Sequence, residues 1–100
     1  VKGWGIFKAT ATASIYGSFN VTSFARNGAG DYTVTWLRAF AATPYAVFGT
    51  SGSTTADFLI VQELPDTLKS VTATRVGAAN VADTPTDPLN WLSLMAIGGQ

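Results

Sequence analysis

Residues 19–37, FNVTSFARNGAGDYTVTWL, decide the fold of this chain. Polar and apolar residues alternate over residues 19–25 and again over residues 31–37, where Tyr32, Val34 and Trp36 share one face. Alternation of aromatic and β-branched residues with a period of two is typical of β-strands. Between the two runs, Asn27-Gly28 favours the positive φ angles of a tight turn, and Gly30 permits a bulge. The stretch therefore predicts a β-hairpin that turns at Asn27-Gly28 and places Trp36 in the core.

Strand-like runs continue on both sides of this hairpin. We expect strands over residues 1–7, 45–49, 57–64, 70–76 and 89–97, and strand or extended chain over residues 8–14 that continues to a turn at Gly17-Ser18. Apolar residues on both faces of residues 57–64 predict a central or interface strand.

The segments between these runs predict loops. Residues 38–43 end at Pro44 and predict a loop whose Phe40 reaches the edge of the core. Residues 50–56 form a polar loop, and residues 77–88 an irregular stretch whose two prolines disfavour a helix. The fold class expected is all-β, an antiparallel β-sandwich of about 6–8 short strands. One domain spans residues 1–100.

The chain carries unusually few charges. Charged residues make up 12% of the sequence and hydrophobic residues 47%, whereas about 25% charged residues is usual. One interpretation is that other subunits cover much of the surface, as in a fibre or a shell, because exposed apolar patches mark interfaces. The other is a small sandwich with a neutral Thr/Ser surface. We favour the first, which predicts a homo-oligomer.

Charge and hydropathy also exclude classes of partner. The formal net charge is zero and the basic residues are scattered, which argues against nucleic-acid binding and electrostatic membrane attachment. No apolar run approaches the roughly 18 residues of a membrane-spanning helix, so we expect no membrane insertion. The absence of cysteine favours assembly in a reducing cytoplasm. Because the chain does not begin with Met, we expect a fragment or a processed chain.

The residue types argue against catalysis. Histidine and cysteine are absent, which removes the commonest general base and thiol nucleophile. Glu63 and Asp66 flank a proline turn rather than a cleft, and Asp83 and Asp87 lack the spacing of a calcium loop, so turn formation explains them better. We therefore expect no enzyme, no catalytic residue, no metal and no cofactor.

The hairpin resembles a known module. NVTS at residues 20–23, NGAGDYTVT at 27–35, Ala39-Phe40 and YAV at 45–47 are similar to a module common in tail-fibre and other virion proteins of bacteriophages, which carries an NGxGDYTV hairpin. LSLMAIG at residues 92–98 resembles the last strand of fibre tips, which in turn resemble H-type lectins. Where such tips often have Trp, this chain has Leu94.

The resemblance implies a place in the virion, in a phage tail or another exposed structure, after synthesis in the host cytoplasm. It implies a trimeric receptor-binding domain of a tail fibre or tailspike that adheres to a bacterial surface glycan and contacts other virion or fibre segments. A trimer would multiply weak sites into avidity. The alternative is a purely structural virion protein, a head decoration or fibre-joining module. A third reading, a small glycan hydrolase or esterase, is disfavoured by the missing His and Cys.

Candidate glycan-binding residues follow from residue type, because the resemblance itself fixes none. Sugar sites combine aromatic faces with Asp, Asn or Arg, and we expect binding through loops 50–56 and 83–87. The residues selected are Asp57, Arg75, Asp83, Asp87 and Trp91.

Overall fold

The computed structural model describes residues 3–10, 12–41, 45–52, 59–64, 69–80, 84–88 and 91–98. These residues form eight strands and contain no helix. The strands are β1 (Gly3–Lys8), β2 (Ser14–Phe19), β3 (Val21–Gly28), β4 (Asp31–Trp36), β5 (Tyr45–Gly52), β6 (Leu59–Glu63), β7 (Ala73–Asn80) and β8 (Trp91–Gly98).

The strands form two four-stranded sheets. The first sheet has the order β2-β1-β8-β5 and the second sheet the order β3-β4-β7-β6. Every strand pair is antiparallel. The two sheets pack face to face, and the alternating runs bury every second side chain against the opposite sheet. The predicted all-β antiparallel sandwich is therefore confirmed.

A stack of three aromatic rings fills one end of the core. The Phe7 ring from the first sheet lies parallel to the Phe24 ring from the second, with centroids 4.1 Å apart. Phe24 in turn stacks on Tyr32 at 5.3 Å. Large flat rings bury much apolar area at little entropy cost, so this stack joins the two sheets.

A second aromatic group lies elsewhere in the core. The Trp36 and Phe40 rings stack with centroids 5.2 Å apart, and Tyr45 meets Phe40 edge-on at 4.1 Å. Gly3 makes room for this group, because a Cβ at Gly3 would lie 2.6 Å from the Trp36 ring. The predicted burial of Trp36 and of Phe40 is confirmed.

The hairpin exists, but its turn lies two residues later than predicted. Strand β3 continues through Asn27 and Gly28, and Gly28 pairs with Asp31. The reversal is made by Ala29 and Gly30, where Gly30 has φ 65°. A register shift between Arg26 and Gly28 absorbs the extra residue as a bulge. The prediction of Asn27-Gly28 as the turn centre is therefore wrong.

The chain reverses before this hairpin at Asn20, not at Gly17-Ser18. Both of those residues lie inside β2, whereas Asn20 has φ 61°, which Asn tolerates better than most side chains. The Asn20 carboxamide also accepts a hydrogen bond from the Arg38 amide at 2.7 Å. The turn predicted at Gly17-Ser18 is wrong.

Several element boundaries also differ. Residues 9, 10, 12 and 13 lie between β1 and β2 rather than in a strand. Strand β5 takes in residues 50–52 and β7 takes in residues 77–80, which were expected to be loop. Strand β6 is at the edge of the second sheet, so it is not central.

Candidate interaction surface

The outer side of the first sheet carries large apolar side chains. In β1, Gly3, Gly5 and Phe7 point into the sandwich, and the alternate residues point outward. The same alternation in β8 exposes every second residue. We call this side of the sheet the apolar face; its exposed side chains are Trp4, Ile6, Phe19, Phe48, Trp91, Met95 and Ile97.

One row of the apolar face crosses all four strands. Trp4 pairs with Phe19 on β2 and with Met95 on β8, and Met95 pairs with Phe48 on β5. Directly opposed residues of antiparallel strands share a face and have neighbouring Cβ atoms. The four side chains therefore form a continuous ridge, and they remain 55%, 41%, 43% and 52% exposed in the order Phe19, Trp4, Met95, Phe48.

A second row, called the lower row, lies one alternation step along the strands from the ridge and contains Gly17, Ile6, Ser93 and Thr50. Ile6 pairs with Gly17 on one side and Ser93 on the other, and Ser93 pairs with Thr50. This row contains no aromatic residue. Ile6 is itself 39% exposed, and a Cβ at Gly17 would lie 3.8 Å from the Trp4 ring. The shallow groove beside the ridge is therefore confined to Ser93 on β8 and Thr50 on β5.

Trp91 lies flat at the next level of the same face. It pairs with Gly52, and a Cβ at Gly52 would lie 2.4 Å from the indole Cε2 and Nε1 atoms. The indole therefore covers the Gly52 backbone. The other side of the ring is open, and Trp91 is 47% exposed.

The apolar face is also almost without charge. Lys8, at the end of β1, is the one charged residue in the four described strands of the first sheet. Uncharged, apolar surface of this kind is typical of the covered part of a protein interface.

The outer side of the second sheet is polar by contrast. Thr33 pairs with Arg75, Thr35 with Ser23, and Gln62 with Gly77. The Arg75 guanidinium contacts both oxygens of Asp31, with Nε donating to Oδ1 at 3.2 Å and Nη2 contacting Oδ2. The two faces of the sandwich therefore differ sharply, and water solvates the second.

Asp87 is half-buried beside the hairpin turn. Its Oδ1 accepts hydrogen bonds from the Gly30 amide at 2.9 Å and from the Tyr32 hydroxyl at 2.5 Å. Its Oδ2 accepts from Arg26 Nε at 2.9 Å. Burial alone would raise the pKa of Asp87, but the hydrogen bonds from Arg26, Tyr32 and Gly30, with the charge of Arg26, lower it below the ordinary value. Burial and the bond to Asp87 raise the pKa of Tyr32.

The structure does not bring the predicted glycan-binding residues together. Arg75 and Asp87 both contact the hairpin end, but from the outer and inner sides of the second sheet, and each has an internal charge partner. Trp91 belongs to the other sheet. Asp57 and Asp83 lie outside the described residues.

Sequence reasoning did not identify the apolar face as a surface. The signal was present in residues 3–8 and 91–98, where aromatic or long aliphatic residues occupy both parities of the alternation. A strand with one side in water alternates apolar with polar residues. Apolar residues on both parities therefore indicate that the outer side is also covered.

Comparison with protein-family models, with curated proteins and with solved structures found no match to this chain. The described part of the chain has no helix long and apolar enough to cross a membrane. Nor do its acidic residues gather into a group of three that suits a metal ion.

Proposed function

We propose that this chain is a structural assembly module of a multi-subunit particle, which packs against neighbouring subunits through the apolar face. The observation that carries the proposal is the ridge of Phe19, Trp4, Met95 and Phe48, which spans the first sheet and has no charged neighbour in the ridge row of its described strands. The function follows from physical chemistry, because such a surface in water favours association.

The size of the patch supports this role. Four of the seven side chains are aromatic, and aromatic side chains bury about 150–250 Å² each. With all seven roughly half exposed, the face presents on the order of 600 Å². At about 25 cal/mol per Å², covering that area is worth on the order of 15 kcal/mol before the costs of association are subtracted. The patch reaches the upper end of the 300–600 Å² found for the largest patch on a typical monomer.

The hairpin resemblance connects the assembly role with phage virions. On that basis the particle is a tail fibre or another exposed virion structure, and the chain is a fibre-joining or decoration module. The low overall charge is consistent with a surface that works in contact with other subunits rather than in water.

Adhesion to a bacterial surface glycan is the second candidate function. The observation that favours it is Trp91, whose indole rests on Gly52 and presents its other side to solvent. A sugar ring stacks its C–H side on such a surface. Adhesion ranks second because Arg75 and Asp87 are already held by Asp31 and Arg26. Binding of the wild-type chain to host cells or a glycan array, lost in Trp91→Ala, would place adhesion first.

Hydroxyl-radical footprinting tests the assembly function. Met95 is the sole methionine, so its oxidation can be assigned without ambiguity, and Leu37, 73% exposed and outside the first sheet, is the internal reference. We expect oxidation of Met95 and Trp4 to fall as protein concentration rises, with Leu37 unchanged. Equal oxidation at all concentrations would overturn the proposal.

A further inference from the structure

We infer that the occupant of the apolar face is a second copy of this chain, packed face to face about a two-fold axis that runs across the strands between the ridge and the groove. The inference rests on the proposed function and names its partner. It is carried by the pattern of large and small residues on the first sheet.

The ridge and the groove make the face self-complementary. The groove at Ser93 and Thr50 lies on the same two strands as Met95 and Phe48 of the ridge, one alternation step away. A two-fold axis midway between them places the ridge of each copy over the groove of the other. Met95 then packs on Ser93 of the second copy, and Phe48 packs on Thr50, which sets a large side chain against a small one on β8 and β5. On β1 the same operation brings Trp4 against Ile6, an apolar contact between two large side chains.

The residues at the two ends of β8 also meet when the two-fold rotation is applied. Trp91 lies on β8 one step beyond the groove, and Ile97 lies on β8 one step beyond the ridge. The two-fold axis exchanges these levels, so the open side of the Trp91 indole covers Ile97 of the second copy. Apolar surface therefore meets apolar surface at both ends of β8.

Within the described strands of the first sheet, charge presents no obstacle to this pairing. The one charged residue of the described first-sheet strands, Lys8, is beyond the groove, and the axis carries its counterpart to the opposite end of the interface. The two ammonium groups are then separated by about 20 Å, counted as six residues of strand, which exceeds the Debye length of about 8–10 Å.

The area fits a pair of subunits. A face of on the order of 600 Å² on each copy gives an interface of about 1,200 Å², the lower limit for specific, stable interfaces. A two-fold contact uses one patch twice, whereas a closed ring of three needs two different complementary patches on every subunit. The described residues present one apolar patch that crosses a whole sheet. The geometry therefore favours a dimer over the trimer that the resemblance implies.

Cysteine cross-linking tests the arrangement, because the chain has no cysteine of its own. We would prepare Lys8→Cys and Ile97→Cys separately, mix them, and add a bismaleimide with a reach of about 10 Å, the spacing of packed sheets. In the two-fold arrangement residue 8 of one copy lies beside residue 97 of the other, while identical positions are about 20 Å apart. We expect mixed cross-links to exceed either identical pair by about tenfold, and no cross-link from Ser23→Cys on the second sheet.

Light scattering on the wild-type chain and two charge variants completes the test. We expect a dimer mass, at least about tenfold weaker dimerisation in Met95→Lys, where the two new charges meet near the axis, and no change in Leu37→Lys. A trimer, or a dimer without the 8–97 preference, would overturn the two-fold pairing while Met95 protection still supports the assembly function. A monomer with unprotected Met95 would overturn both.

Discussion

The hydroxyl of Tyr32 lies 2.5 Å from the carboxylate of Asp87, although 55 residues separate them in the chain. The same carboxylate holds the Gly30 amide at 2.9 Å and the Arg26 guanidinium at 2.9 Å. Asp87 therefore fixes the turn of the hairpin, the end of β3 and a core tyrosine at once.

The Tyr32 hydroxyl has a second acceptor, the Ala9 carbonyl oxygen at 2.7 Å. A hydroxyl has one proton and can donate it to one of the two. The ionised carboxylate is the stronger acceptor, because charge-assisted hydrogen bonds are roughly twice as strong as neutral ones. The ionised state of Asp87 thus stabilises the turn end of the hairpin in the second sheet.

Replacement of Asp87 by Asn should destabilise the fold strongly. The introduced carboxamide would face the Arg26 donors without a charge, and Arg26 would lose its ionic partner. Loss of a partly buried charged hydrogen-bond group costs about 2–3 kcal/mol in the free energy of unfolding. Urea denaturation checks this value. Asp31→Asn is the matched control, since the more exposed Asp31–Arg75 pair should contribute about 1 kcal/mol or less; equal losses would contradict the role given to Asp87.

Stability should decrease in acid through the same residue. The pKa of Asp87 is lower in the folded than in the unfolded chain, so the folded state holds its advantage above the ordinary pKa of 3.8. The advantage disappears as pH falls from that value through the lower folded pKa. We expect the free energy of unfolding to decrease below about pH 4 and the decrease to be smaller in Asp87→Asn. Identical acid profiles for the two proteins would show that Asp87 is not the group responsible.

Gly30→Ala should be far more damaging than Gly28→Ala. Gly30 has φ 65°, and a Cβ there would lie 2.3 Å from the Ala78 carbonyl oxygen and 2.6 Å from the Thr86 nitrogen. Both are backbone atoms, so we expect a loss of about 3 kcal/mol or more from strain and steric overlap. At Gly28 nothing lies within 4 Å of the added Cβ, and we expect a change within about 1 kcal/mol. Thermal or urea unfolding compares the two variants, and similar losses would place the turn at Asn27-Gly28 after all.

The alternation of the sequence predicted the strands but not the exact reversals. Period-two patterns depend on local sterics and burial, which is why β4 was correctly oriented with Tyr32, Val34 and Trp36 inside. Register shifts depend on the paired strand. The shift between Val21 and Ser23 lets Val21 and Phe24 both pack towards the core, although their spacing places them on opposite parities.

The candidate site was harder to predict because its partners are distant in sequence. Arg75 meets Asp31 across 44 residues and Arg26 meets Asp87 across 61, so residue type alone could not reveal that these charges are paired internally. Predicting the apolar face from the sequence would also have required the order of the strands in the first sheet. Trp4 and Met95 become neighbours only because β1 pairs with β8, and the low charge of the chain predicted covered surface without locating it.

Replacement of leucine by alanine should be costly at Leu92 and nearly neutral at Leu37. Leu92 is fully buried between the sheets and Leu37 is 73% exposed after β4. Leu92→Ala removes packed methyl groups and leaves a cavity, which costs about 2–5 kcal/mol, whereas Leu37→Ala should change stability by about 0.5 kcal/mol or less. Urea denaturation at equal protein concentration measures both. Leu92 points inward from the same strand that presents Met95 outward. Folded Leu92→Ala should therefore keep the concentration-dependent protection of Met95 from oxidation. Loss of that protection would mean that the apolar face depends on the core behind it.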